Sequence, residues 1–303
     1  MSEAPGRAKL STRAALIALA TLCLIWGSTW LVIKRNVDDV PPLTAAAARL
    51  WVAGLTMLAL APWLRRVEGG NPPPWWLWVP FGLTQFSTSF AVIYAAGRHL
   101  PSGLSAVLWA IYPLLMALGS HLFLPTERLR GAQWSGFVFG FVGIVSLFQT
   151  DLRQAGPEAV PAGLLLMTSP LMVAAVTIAI KRHGSGVSAM LLNRNAMLLG
   201  AIVLTIGALA IERDAEIRYS GEALFCIVYL ALVGTVMTFG IYFWLMRHLP
   251  ANRLALIAYV TPAIALSMGA TIGAEPLYWH TFVGFGLILF GVLLASGRIR
   301  LSR

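Results

Sequence analysis

Residues able to do chemistry recur at helical spacings inside the apolar stretches of this 303-residue chain. One stretch carries Thr84, Gln85, Ser87, Thr88 and Ser89. Within it Gln85 and Ser89 are four apart, as are Thr84 and Thr88, so two adjacent stripes of one helical face are polar. Another stretch carries Thr235, Thr238 and Tyr242 at i, i+3 and i+7. Ser105, Trp109, Tyr112 and Met116 form a third stripe, and Trp26 and Tyr259 lie well inside two further stretches. Hydroxyls, an amide and aromatic faces, with no acid or base beside them, suit non-covalent recognition of an amphipathic molecule. The same groups could instead hold helices together. Gln85 is the hardest to read as packing, because an amide in a dry environment needs partners. The candidate binding residues are therefore Trp26, Gln85, Ser89, Trp109, Tyr112, Thr235, Thr238, Tyr242 and Tyr259.

Covalent and metal chemistry find no support in the pattern. There is no His-Glu-x-x-His, no Gly-x-Ser-x-Gly and no Gly-x-x-x-x-Gly-Lys loop, so no protease, hydrolase or ATPase constellation is encoded. Cys23 and Cys226, the two cysteines, have no Cys-x-x-Cys or histidine neighbour, which argues against a disulfide framework or a zinc site. No catalytic residue, metal or cofactor is expected. Arg49 and Arg194 are the clear charges inside apolar stretches. Each lies within two turns of a helix start, so ion pairing or snorkelling to the interface is favoured over capture of a carboxylate. Glu127 and Glu275, beside prolines at stretch edges, read as helix-start carboxylates. No carboxylate lies deep in any stretch, which leaves a buried proton relay unsupported.

The elements that must position these groups are membrane helices. The chain is 58% hydrophobic and 11% charged, with a mean hydropathy of +0.77. Soluble domains carry about 25% charged residues, too many more for this chain to wet a globular surface. Ten apolar stretches follow one another: Ala14–Ile33, Thr44–Trp63, Trp75–Ala96, Ser102–Phe123, Gly131–Phe148, Ala162–Ile180, Met190–Ile211, Glu222–Leu245, Asn252–Ile272 and Trp279–Leu294. About 20 residues of helix cross about 30 Å of hydrocarbon, and only helices satisfy their own backbone groups there without closing a barrel. The basic start and apolar first stretch resemble a signal peptide, but the stretch is too long and runs on through Trp26 and Trp30.

Basic residues set the orientation. With the amino terminus inside, fourteen lie on inner segments, against six outside at Lys34, Arg35, Arg98, Arg153, Arg213 and Arg218. Both termini are expected in the cytoplasm, and the +10 net charge reflects inner loops, not nucleic-acid binding. Trp63, Trp75, Trp76, Trp78, Trp134 and Trp279 fall near stretch ends as an interfacial belt. Trp26 and Trp109 lie roughly 10 Å below the outer surface, and Tyr259 roughly 10 Å from the inner one.

The chain also repeats itself. Arg98-His99-Leu100-Pro101 recurs as Arg247-His248-Leu249-Pro250, 149 positions later, and Pro113 is matched by Pro262 at the same interval. Gly136 and Gly143 are matched by Gly284 and Gly291, 148 apart. Two copies of an odd number of helices must sit upside down relative to each other. The expected fold is thus an all-α integral membrane protein, one transmembrane domain over residues 1–303, with ten transmembrane helices as two inverted five-helix repeats, 14–148 and 162–294. Proline in the middle of the fourth and ninth helices kinks each and serves as a hinge. Pro170 in the sixth has no counterpart.

Trp26-Gly27-Ser28-Thr29 with Lys34, Pro41-Pro42 before Ala48-Arg49-Leu50, Tyr112-Pro113, and Glu127-Arg128-Leu129 before a glycine-rich helix resemble the EamA-type unit of the drug/metabolite transporter superfamily. Thr261-Pro262 and Glu275-Pro276-Leu277 repeat the resemblance in the second half. It implies ten helices and export of small metabolites across the bacterial cytoplasmic membrane by alternating access. In size and layout the chain is similar to the aromatic and neutral amino acid exporters called YddG-like. The implied partners are a small-molecule substrate and the lipid bilayer, with no nucleic acid, and the chain acts as a monomer or homodimer. Other metabolites or drugs of the superfamily are the alternative cargo; a channel or an intramembrane enzyme explains the repeated prolines less well.

Overall fold

A computed structural model describes residues 12–125, 128–129, 131–249, 254 and 256–296. All its regular elements are helical: α1 Thr12–Asp39, α2 Pro42–Glu68, α3 Trp75–Phe81, α4 Ser89–Gly97, α5 Ser102–Trp109, α6 Tyr112–Phe123 and α7 Gly131–Gln149. There follow α8 Asp151–Gln154, α9 Ala159–His183, α10 Ala189–Ile211, α11 Gly221–Val228, α12 Thr238–His248, α13 Ile257–Thr271 and α14 Trp279–Ala295. Among the described residues seven helical stretches are long and apolar enough to cross a membrane, and α13 and α14 are shorter apolar helices. This is an all-α, multi-pass membrane protein. Glu127, Pro250 and Asn252 lie outside the described residues.

Two stretches read as plain α-helices are not. A π segment, Gly82–Thr88, joins α3 to α4, and a second, Tyr229–Met237, joins α11 to α12. A π turn bonds i to i−5 and shifts the register by one residue. The hydroxyls follow it: Ser87 donates to the carbonyl of Gly82, Thr88 to Leu83 and Thr235 to Leu230. The two i,i+4 polar stripes expected from Thr84 to Ser89 are therefore broken. Ser89 is buried and Gln85 half-buried, whereas Thr88 faces outward.

The proline-centred fourth stretch also departs from expectation. Its helix stops at Trp109 and restarts at Tyr112, which puts Pro113 at the second residue of α6 instead of mid-helix. Pro113 has no N–H to give the Trp109 carbonyl, and the chain tightens at the break, with Leu114 N–H reaching the Ile111 carbonyl at 2.9 Å. Pro262 does lie inside its helix, α13.

Helix starts are tied by carboxylates from remote parts of the chain. Glu68, the last residue of α2, takes the N–H groups of Ala189 and Met190 at 3.1 and 3.0 Å, together with the hydroxyl of the α10 cap Ser188. Glu212, just past the end of α10, returns the contact to Leu43 N, Thr44 N and Thr44 Oγ1 of α2, each at 2.9 Å. Glu275 holds Ser102 N and Gly103 N of α5 at 2.6 and 3.1 Å. It is a helix-start carboxylate, but for a helix far from it in sequence. Asp39 accepts from Ser220, the cap of α11. Glu68, Glu212 and Glu275 directly meet N–H groups that have no intrahelical partner, and Asp39 acts through the Ser220 hydroxyl that takes Ala223 N–H. All lie at the positive end of a helix dipole, a cap that contributes about 0.5–2 kcal/mol.

The matched glycines meet each other. Gly136 on α7 lies against Gly291 on α14, and Gly143 against Gly284, an order that only antiparallel helices produce. A Cβ on Gly136 would strike the Gly291 carbonyl, and one on Gly143 would stand 2.7 Å from that of Gly284. Gly136→Ala should therefore destabilise the protein by about 1–3 kcal/mol, read as the thermal unfolding midpoint in detergent. Gly286→Ala, on the same α14 but with nothing within 4 Å, should leave that midpoint unchanged or raise it.

Candidate functional site

An aromatic and hydroxyl cluster fills the space between α1, α4, α5, α6 and α9. Ser169 on α9 is its hub. It accepts the indole N–H of Trp109 at 3.1 Å and shares a 2.7 Å hydrogen bond with Ser89 of α4. Trp109 stacks on Tyr112 across the α5–α6 break, with centroids 4.9 Å apart at 24°. Trp30 of α1 closes over the same indole at 6.5 Å, and Tyr112 donates to Thr177 of α9 at 3.4 Å. Ser89 and Ser169 are fully buried, while Trp30, Trp109, Tyr112 and Thr177 keep part of their surface open. Tyr259 of α13 packs on the same apolar core as Trp30 and Trp109. Trp26 and Tyr242 pair separately, at 5.6 Å, over the core of Leu19, Leu22 and Leu245.

Thr235 and Thr238 belong elsewhere. Both are fully buried in the region of the second π segment. Thr238 spends its hydroxyl on the carbonyls of Gly234 and Thr235. Thr235 accepts Arg49 Nε at 3.1 Å, and Arg49 also donates to Tyr94 Oη at 3.4 Å and to the Gly234 carbonyl at 3.5 Å. Its guanidinium lies 4.8 Å above the Phe90 ring. Arg49 is 6% exposed. It neither snorkels to an interface nor pairs with any carboxylate among the described residues, contrary to the expectation from its place near a helix start. The π segment explains why: Thr238 N–H goes to Val233 and Thr235, which frees the Gly234 carbonyl for Arg49. Glycine at 234 also matters for space, since a Cβ there would stand 3.0 Å from Thr29 Cγ2 and 3.8 Å from the guanidinium. Arg194, the other charge inside an apolar stretch, donates to its neighbour Asn195 at 2.7 Å.

The two groups of residues are adjacent. Ser89 and Phe90 are consecutive on α4, one facing Ser169 and the other Arg49. Thr29 and Trp30 are consecutive on α1, one against Gly234 and the other against Trp109. Gln85 sits one turn earlier, half-buried in the first π segment.

A third polar group lies at the end of the bundle where α4 and α13 stop. A cavity of about 440 Å³ is lined there by Lys34, Arg98, Asp151, Glu275 and Tyr278. Asp151 is 4% exposed and accepts from Thr150, Thr281 and the His280 ring, the last at 2.9 Å. No cluster of three or more His, Cys, Asp or Glu able to hold a metal occurs among the described residues.

Sequence reasoning missed Ser169, Thr177 and Trp30, and it read Arg49 the other way. The Thr168-Ser169 pair before Pro170, in a largely apolar stretch, was the one available signal for the hub.

Fold and hydropathy together define a multi-pass helical membrane protein with an aromatic and hydroxyl cluster inside its bundle. The sequence profile of the EamA-like transporter family matches residues 13–149 and again residues 160–297. The chain belongs to that family; it is a membrane transporter and not an enzyme. It is similar to the inner membrane transporter YedA of Escherichia coli, at 28% identity over 92% of this chain and 89% of that protein. The transporter YoaV of Bacillus subtilis is 20% identical over 93% and 94% of the two chains. A probable amino-acid metabolite efflux pump of Salmonella typhimurium is 25% identical over 97% and 98%. A solved crystal structure shares the fold at a TM-score of 0.68 and 20% identity, covering 96% of this chain and 100% of the other.

Ser169→Ala would leave the Trp109 indole and the Ser89 hydroxyl without their partner, a cost of about 1–3 kcal/mol. The thermal unfolding midpoint should fall accordingly. Thr168→Ala, whose exposed hydroxyl bonds only its own helix, should not move it.

Proposed function

We propose that the protein is a secondary transporter that exports small amphipathic metabolites, neutral and aromatic amino acids first among them, by alternating access. Its setting is the bacterial inner membrane, with ten spans, both termini in the cytoplasm and two five-helix halves inverted with respect to each other. One observation carries this reading: the recognition cluster is assembled from both family-matched segments. Trp30, Ser89, Trp109 and Tyr112 come from the first, Ser169 and Thr177 from the second. Arg49 repeats the pattern, because it is held by Gly234 and Thr235. A site whose walls belong to two bodies opens to one side or the other when those bodies rock.

The reciprocal caps between α2 and α10, and the facing glycines of α7 and α14, support the inversion. Each joins equivalent helices of the two halves in antiparallel order. Pro113, at the α5–α6 break, and Pro262, inside α13, then act as the hinges of the two halves. The name of the Salmonella relative, a probable amino-acid metabolite efflux pump, agrees with the amino-acid cargo. So does a cluster of indole, phenol and hydroxyl groups, which stacks on a flat side chain and hydrogen-bonds a polar head.

Purified protein in liposomes should take up labelled phenylalanine or tryptophan in a saturable manner, stimulated several-fold by unlabelled solute on the opposite side. Linear flux without counterflow would mean a channel. Trp109→Ala should cut that uptake at least about tenfold, the loss expected when about 1.4 kcal/mol of contact disappears, while the protein remains folded. Unchanged uptake in this variant would remove the aromatic cluster from the pathway.

A further inference from the structure

Arg49 is the least accounted-for group in the molecule. A guanidinium buried among membrane helices is costly and is normally paired with an opposite charge. Here every contact is neutral: the Thr235 hydroxyl, the Tyr94 phenol, the Gly234 carbonyl and the Phe90 face. These engage three of the five N–H donors a guanidinium carries, and they hold it in place without cancelling its charge. Among the described residues no carboxylate forms an ion pair with it. Lys34, Arg35, Arg213 and Arg218, by contrast, all have acidic partners.

Space has been made for the charge on one side of the protein only. The first π segment carries the fully buried Phe86, and the second carries Gly234. Phe86 backs onto Gly200 of α10, whereas Gly234 borders Thr29 and the Arg49 guanidinium. The cation is thus an asymmetric addition to an otherwise matched pair of helix contacts. The aromatic cluster is one residue away along both α1 and α4, through Thr29–Trp30 and Ser89–Phe90.

We infer that Arg49 is the receptor for a carboxylate borne by the transported solute, on an apolar or aromatic body that occupies the cluster around Trp109. An arriving carboxylate supplies the charge the site lacks, in a low-dielectric setting where a guanidinium–carboxylate hydrogen bond is strong and directional. Among the described residues no carboxylate pairs with the guanidinium, so none competes for it or demands an ammonium group on the solute. The carboxylate is therefore the recognised group, and the amino group is permitted instead of required. This inference rests on the transport reading above, but it is tested by binding alone.

The test is ligand-induced stabilisation of the purified full-length protein in detergent, using three probes that share a phenyl ring. Phenylalanine and 3-phenylpropanoate carry the carboxylate; phenylalanine amide does not. Both acids should raise the unfolding midpoint of the wild-type protein, and the amide should not. Arg49→Lys should retain the preference with apparent affinity weakened about tenfold or more, and Arg49→Gln should abolish it, as truncation of one partner of a buried charge pair does. Equal stabilisation by acid and amide in the wild type would overturn the assignment, as would absence of stabilisation by either acid. A wild-type response in the lysine variant would do the same. None of these outcomes needs a flux measurement, so failure of the carboxylate site is distinguishable from failure of counterflow.

Discussion

Inside a bilayer there is no water to complete a hydrogen bond, so each backbone polar group must be satisfied by the protein itself. Much of this structure follows from that constraint. Helix starts in the bundle carry N–H groups with no partner of their own, and Glu68, Glu212, Glu275 and the Asp39–Ser220 pair are spent on four of them. Because each carboxylate comes from a part of the chain remote in sequence, satisfying a local need fastens distant parts of the chain together. The caps are structural joints as much as helix terminators.

The same constraint governs the irregular backbone. A π turn leaves one carbonyl outside the helical ladder, tolerable in a membrane only where something inside the protein takes it up. At Gly234 the Arg49 guanidinium and the Thr238 hydroxyl do so. The break before Pro113 lets Trp109 and Tyr112 stack at the end of one helix and the start of the next. Irregularity in this bundle therefore gathers where the aromatic and hydroxyl groups are, while α7 and α14 run regularly and close to each other through their glycines.

How much of this could be read from the sequence depends on the range of the physics involved. Hydropathy identified the apolar stretches, and the α2 boundary shows its limit: the helix runs to Glu68, past Trp63, because a hydropathy window senses hydrocarbon and not helicity. The repeated glycines were legible from spacing, and they do lie at a tight interface. Trp109 and Tyr112 were legible as one stripe. Ser169 was not, since its meaning depends on Ser89, 80 residues earlier, and on Trp109. The π segments have no compositional signature, so the stripes drawn through Thr84 to Ser89 and Thr235 to Tyr242 assumed a register that the backbone does not keep. Arg49 looked like a helix-end anchor because sequence gives distance from a helix start, not the direction in which a side chain points.

The central claim is that one solute site, between two halves of the chain, is exposed to each side of the membrane in turn. Thr177, from the second half, accepts the Tyr112 hydroxyl of the first at 3.4 Å, within the aromatic and hydroxyl cluster. A Thr177→Cys variant, with Cys23 and Cys226 replaced by serine, can be probed in oriented vesicles with a membrane-impermeant thiol reagent. The account predicts labelling from either side, with solute added on one side shifting which face reacts faster. Labelling confined to one face, and indifferent to solute, would contradict it.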